Sequence, residues 1–120
     1  MRRKHHELEV WQEAIGLVKD IYRLTISFPQ HENYALASQM RRAAISVPSN
    51  IAEGAGRTGD KEFLKFLSVA RGSLCELETQ LIIAKELSYL VDDREIITRI
   101  DRVFGLLGGL MKSIQARSME

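Results

Sequence analysis

The segment DKEFLKFLSVARGSLCELETQLIIAKE, residues 60–86, has the most regular apolar pattern in the chain. Its apolar residues recur at alternating steps of four and three, which is the spacing of one helix face. These residues are Phe63, Leu67, Ala70, Leu74, Leu77, Leu81 and Ala84. We predict a helix over 60–87, roughly 40 Å long at about 1.5 Å per residue. Asp60 is its predicted N-cap.

The preceding segment repeats this spacing, and we predict a helix over 33–53. The residues at this spacing are Leu36, Met40, Ala43, Val47 and Asn50. Pro48 removes a backbone donor, so this is either one kinked helix or two helices, and we favour one kinked helix. Gly54, Gly56 and Gly59 then have the composition of a loop.

The two outer segments complete the helical pattern. Residues 8–28 carry two adjacent apolar stripes, which predicts a helix buried on more than one side that ends before Pro29. Residues 93–115 again step by four and three, with Asp92 or Asp93 as the cap. Three glycines in this last segment indicate either close packing or a local break, and they are Gly105, Gly108 and Gly109.

Four amphipathic helices with short links and no strand pattern predict an all-α fold, an antiparallel up-down four-helix bundle. A chain of 120 residues favours a single domain over 1–120, with frayed tails at 1–6 and 116–120. The predicted core includes Trp11, Leu67, Leu74, Leu81, Val103 and Leu107.

Composition limits the classes of function. Lys and Arg number 17 against 16 Asp and Glu, so any binding of nucleic acid needs a local basic patch. The single cysteine, Cys75, excludes an intrachain disulfide and favours the cytoplasm. The basic start leads into Glu7 rather than an apolar run, so we expect neither a signal peptide nor a membrane span.

Motifs for catalysis or metal binding are weak. Di-metal bundles use Glu-x-x-His pairs on two helices, and none occurs here: His5 and His6 fall in the tail and His31 in a loop. Cys75 lies in mid-helix beside Glu76, which favours a half-buried packing residue over a nucleophile. GAGRTGDK, residues 54–61, does not fit a phosphate-binding Walker motif. We expect no enzyme activity, metal or cofactor.

Two polar stripes lie on the second and third helices. They comprise Arg42, Ser46, Ser49, Glu53 and Arg57, and then Ser68, Arg71, Cys75 and Glu78, with Gly72 and Ser73 alongside. One interpretation is a solvated face with weak charge pairs. The other is a polar subunit interface or ligand site, since the small residues between the charges permit close approach. Glu53 can pair with Arg57 one turn later, whereas Arg42 needs a partner on another helix or chain.

The central strings resemble a known family. RRAAISVPSNIAEGAGR at 41–57, EFLKFLSVARGSLCELETQL at 62–81 and LEVWQEAIGLVKDIYRLTISFP at 8–29 are similar to the four-helix-bundle proteins of the 23S ribosomal RNA intervening sequence. The resemblance implies a pentameric ring. It also implies likeness to the accessory variability protein of diversity-generating retroelements, which binds nucleic acid and a reverse transcriptase. Matching signature positions are Arg42, Ser46, Asn50, Glu53, Gly54, Arg57, Arg71, Gly72, Ser73 and Glu76.

Two functional hypotheses follow. The first is a homo-oligomeric accessory protein that binds RNA or DNA, with a reverse transcriptase or another protein as a further partner. Its expected phosphate contacts are Arg2, Arg3, Lys4, Arg23, Arg41 and Arg57. Its expected interface residues are Arg42, Ser46, Asn50, Glu53, Arg71, Ser73 and Glu76. The alternative is a protein assembly scaffold without nucleic acid. Clustering of the basic residues favours the first hypothesis, and intermixing with Glu7, Glu9 and Glu13 favours the second.

Overall fold

The computed structural model describes residues 2–119, which form four α-helices and no strand. The helices are α1 (Glu9–Thr25), α2 (Leu36–Ala55), α3 (Asp60–Glu86) and α4 (Arg94–Ser118). Short 3-10 helices, Lys4–Glu7 and Gln30–Glu32, precede α1 and α2. The predicted all-α class is confirmed. None of the described helices is both long enough and apolar enough to cross a membrane.

One apolar core joins the four helices. The contact between α2 and α3 is the most extensive, and α1 packs on α2 and α4, while α3 also packs on α4. The largest fully buried side chains are Leu17, Ile21, Met40, Val47, Ile51, Leu67, Leu74, Leu77, Leu81, Ile100, Leu107 and Ile114. Five of the six predicted core residues are buried. Trp11 is only partly buried, because its ring lies at the edge of the core against His5 and His6.

Helix α1 is shorter and less buried than its sequence predicts. Ala14, Leu17 and Ile21 of one stripe are fully buried. The stripe beside it is only partly covered: Trp11 and Val18 pack at the edge of the core, while Tyr22 is 44% exposed. The helix ends at Thr25 rather than residue 28. The amide of Phe28 donates to the carbonyl of Thr25, which turns the chain before Pro29 is reached.

Helix α2 passes through Pro48 as a single helix, which confirms one helix rather than two. It begins at Leu36 rather than at residue 33. At this start the Leu36 amide donates to the Glu32 carboxylate at 3.3 Å. It also extends to Ala55, so Gly54 is a buried helical residue and not part of the loop. A Cβ at Gly54 would lie 2.7 Å from the Cβ of Phe66, and this glycine therefore permits close contact between α2 and α3.

The start of α3 differs from the predicted cap. Gly59 occupies the N-cap position with a φ of 94°, a conformation that favours glycine. The Asp60 carboxylate instead accepts bonds from Nη2 and Nε of Arg117 at 2.9 and 3.2 Å. This pair holds the last turn of α4, which continues to Ser118 rather than ending at the predicted residue 115. Glu120 lies outside the described residues.

The glycines of α4 and the N-terminal segment also differ from the predictions. Helix α4 is continuous through its three glycines, and a Cβ at any of them would meet no atom within 4 Å. These glycines therefore mark neither a break nor close packing within the chain. At the other terminus, the predicted frayed tail contains the 3-10 helix Lys4–Glu7, and its first residue, Met1, lies outside the described part.

Candidate functional site

A polar groove between α2 and α3 brings several predicted interface residues together. It is lined by Gln39, Arg42, Ala43, Ser46, Ser73 and Glu76 and has a volume of about 350 Å³. The hydroxyl oxygens of Ser46 and Ser73 are hydrogen-bonded at 2.8 Å across the two helices. Asn50 donates from Nδ2 to the carbonyl and the hydroxyl of Ser46 at 2.8 and 2.9 Å. The small side chains of the two stripes thus form a hydrogen-bonded seam.

Opposite charges line the α2–α3 groove. Arg42 comes from one helix and Glu76 from the other, and neither belongs to an ion pair within residues 2–119. Gln80 donates to Glu76 at 3.4 Å and is only 5% exposed, yet its Oε1 has no hydrogen-bond partner in the described chain. The groove therefore offers a cation and an anion to a polar partner, while the buried Gln80 lies behind Glu76 and does not line it.

Gln39, which lines the groove, and Gln80, which bonds to Glu76, are not among the predicted site residues. Gln39 precedes Arg42 by three residues on the same helix face, so extension of the stripe by one turn identifies it. Gln80 lies beside Leu81 within the apolar pattern of α3. A polar residue next to an apolar face can be identified from sequence as a candidate for a buried hydrogen bond. Arg71 is not part of this groove. It lines a separate groove of about 750 Å³ between α3 and α4 with Lys61 and Lys65.

Glu53 and Arg57 form the ion pair that their spacing predicts. Nη2 of Arg57 lies 2.8 Å from Oε2 of Glu53, and the side chains are 50% and 51% exposed. The Arg57 guanidinium also lies 4.9 Å from the centroid of the Phe66 ring. The pair is thus half solvated within one chain, and its part in a subunit contact stays a prediction.

Four of the six predicted phosphate contacts, Lys4, Arg57, Arg23 and Arg41, lie in two separate places. Lys4 lies 4.9 Å from the ring of Phe63, close to the start of α3 where Arg57 packs on Phe66. Arg23 and Arg41 instead line one groove. Arg41 and Arg57 are sixteen positions apart along α2 and its end, which corresponds to about 24 Å. A single chain therefore does not gather these cations into one patch.

The N-terminal acidic residues are intermixed with arginines. Arg2 donates to Glu7 at 2.8 Å. On α4, Arg102 lies 2.7 Å from Glu9 and 3.3 Å from Glu13. Arg99 bridges the same Glu13 at 3.5 Å and Asp20 at 2.8 Å. Of these contacts, only the Arg2–Glu7 pair joins a predicted phosphate contact to one of the three glutamates, which is the intermixing expected of a scaffold.

The side chains discussed here whose pKa is shifted lie in contacts that hold the fold together. The Tyr89 hydroxyl donates to Glu32 at 2.7 Å, which lowers the pKa of that carboxyl and raises the pKa of the phenol. Arg117 likewise lowers the pKa of Asp60. Burial, followed by the charges of His6 and Arg3, lowers the pKa of His5. These groups anchor loops and helix ends, and none of them lines the α2–α3 groove.

The cysteine and the possible metal-ligating side chains are the remaining candidates for chemistry. Cys75 is exposed on α3, so the prediction of a half-buried packing residue is wrong. On α3 the Ser73 hydroxyl bonds to Ser46 of α2 and the Leu74 side chain is buried in the core, whereas Cys75 lies outside both contacts. Among residues 2–119, no group of three or more His, Cys, Asp or Glu is arranged to hold a metal ion.

The fold and groove define a small all-helical protein with a polar surface between two of its helices. The sequence matches the model of the 23S rRNA-intervening sequence protein over residues 6–109, so the chain belongs to that family. Among curated proteins no sequence matches the chain. The family match covers α1, α2, α3 and most of α4. It therefore includes the whole α2–α3 groove.

Proposed function

We propose that this protein is a non-enzymatic, homo-oligomeric accessory protein that binds nucleic acid. In this proposal the helices form an antiparallel up-down bundle, and the α2–α3 groove is the contact between subunits of a pentameric ring. The observation that supports it best is that Arg42 and Glu76 lie on opposite walls of the groove and form no ion pair within residues 2–119. A neighbouring subunit that presents a carboxylate and a cation would pair with both.

Apolar residues beside the groove support a protein contact. Ile45 lies one turn from Arg42, Val69 lies one turn before Ser73, and both are exposed in the single chain. A mixture of exposed apolar and arginine side chains is typical of protein interfaces, where Lys and Glu are depleted. A ring closes by repeating one head-to-tail contact, so this face would dock on a different surface of the next subunit.

Sedimentation equilibrium tests the assembly. We expect a mass near five times 13.6 kDa. Arg42→Glu places two like charges across the groove, and we expect it to lower this mass. Arg94→Glu is the matched control, because Arg94 pairs with Asp92 on the exposed surface outside the groove. A monomeric wild-type protein at micromolar concentration would contradict the ring.

A salt titration tests the binding of nucleic acid. Lys and Arg that contact phosphates release counterions, so the affinity for RNA or DNA must fall steeply as salt is added. We expect weak, largely sequence-independent binding at low salt. An absence of binding at low salt would leave the alternative, a scaffold that binds only protein. The pairing of Arg2 with Glu7 is the observation that favours this alternative.

A further inference from the structure

An open groove between the end of α1 and the start of α2 exposes two aromatic rings. Its volume is about 700 Å³, and its lining residues are Tyr22, Arg23, Ile26, Asn33, Tyr34 and Arg41. Tyr34 is 98% exposed, Ile26 is 81% exposed, and Tyr22 is 44% exposed. These three side chains do not pack in the core, so the two tyrosine rings are available to a ligand.

The charge of this Tyr22–Tyr34 groove is positive. Its lining includes two arginines and no carboxylate. Arg41 donates from Nε to the hydroxyl of the buried Thr25 at 2.9 Å, and its guanidinium lies 5.2 Å from the centroid of the Tyr22 ring. These two contacts position Arg41, and no ion pair in residues 2–119 neutralises it.

Arg23 lies at the border between this groove and a neighbouring one that contains Asp20 and Glu95. The Asp20 carboxylate is already paired with Arg99 at 2.8 Å. Arg23 itself belongs to no ion pair among the described residues, so its charge is available to the Tyr22–Tyr34 groove.

We infer that the Tyr22–Tyr34 groove binds the unpaired bases of single-stranded nucleic acid, an inference that rests on the proposed function. Tyr34 and Tyr22 would stack on bases, while Arg23 and Arg41 contact the adjoining phosphates. Duplex bases are already stacked on each other, so exposed aromatic rings select a single strand. A protein partner would also use Tyr and Arg. The absence of a lining carboxylate favours a polyanion.

Fluorescence anisotropy tests the inference. The two labelled probes are a single-stranded oligouridylate and a hairpin duplex of equal length. At low salt we expect the full chain to bind the single strand more tightly. Tyr34→Ala should weaken this binding roughly tenfold, the order of magnitude that stacking of one base contributes. Tyr34→Phe keeps the ring and should retain affinity. Val91→Ala is the control, since Val91 is equally exposed but does not line the groove.

The outcomes separate the two proposals. Unchanged single-strand binding by Tyr34→Ala, or equal affinity for the duplex, would overturn the inference and leave nucleic-acid binding elsewhere on the protein intact. Loss of the wild-type oligomer mass in Tyr34→Ala would assign the groove to a protein contact and also overturn it. If wild type binds neither oligonucleotide, the proposed nucleic-acid function fails and the inference fails with it.

Discussion

The substitution Glu53→Ala distinguishes a solvated charge pair from one buried between subunits. In a single chain both Glu53 and Arg57 are half exposed, so removal of the pair should cost about 0.3–0.5 kcal/mol. For a chain of this size, that corresponds to about 1–3 °C in melting temperature. If a neighbouring subunit covers the pair, the substitution leaves Arg57 buried and unpaired, at a cost of about 3–5 kcal/mol. The melting temperature would then fall by about 10 °C or more.

The assay for Glu53→Ala combines sedimentation equilibrium with thermal unfolding at one fixed chain concentration, since assembly makes stability depend on concentration. We expect a reduced oligomer mass and the larger fall in melting temperature. Glu7→Ala is the matched control, because Glu7 pairs with Arg2 on an exposed surface outside the proposed interface. An oligomer of wild-type mass with an unchanged melting temperature would refute a buried position for Glu53.

Three further substitutions test the fold. Leu74 is fully buried, so Leu74→Ala should lower the free energy of unfolding, measured in urea, by about 2–5 kcal/mol. Leu87 is half exposed, so the control Leu87→Ala should cost far less. A loss below about 1 kcal/mol for Leu74→Ala would place Leu74 outside the core. Tyr89→Phe removes the bond that lowers the pKa of Glu32, so it should destabilise the fold at neutral pH, and the difference should shrink as pH falls through the lowered pKa of that carboxyl. A difference that grows towards acid pH would contradict this linkage. Gly109→Ala meets no atom within 4 Å and should stabilise α4 by about 1 kcal/mol, and a lower melting temperature would show that this face packs on another chain.

Local periodicity predicts the helices well but their ends poorly. The regular steps of α3 identify its buried residues because one helix face must meet the core. The end of α1 depends on the turn bond between Phe28 and Thr25, which no periodic pattern contains. The extension of α4 depends on Arg117, whose partner Asp60 is 57 positions away in sequence. Tertiary contacts of this kind decide where a helix stops.

The candidate site shows the same division between local and distant contacts. Glu53 and Arg57 pair as their spacing predicts, because both lie on one helix face. The meeting of Ser46 with Ser73 requires the register of α2 against α3, which a single sequence does not specify. The exposure of Tyr22 was also not predicted. The neighbouring helices fully cover Ala14, Leu17 and Ile21 of the adjacent stripe but leave Ile15 and Tyr22 exposed, and the periodic pattern does not distinguish the two stripes.

The bond between Asp60 and Arg117 links two parts of the chain that would otherwise open independently. Arg117 lies in the last turn of α4, and Asp60 directly follows the 56–59 loop. Helix ends and glycine loops normally exchange their amide hydrogens through separate local openings of low free energy. Because one carboxylate holds both elements, we expect residues 115–118 and the first turn of α3 to exchange as one cooperative unit. Asp60→Asn should then accelerate exchange in both elements by a similar factor.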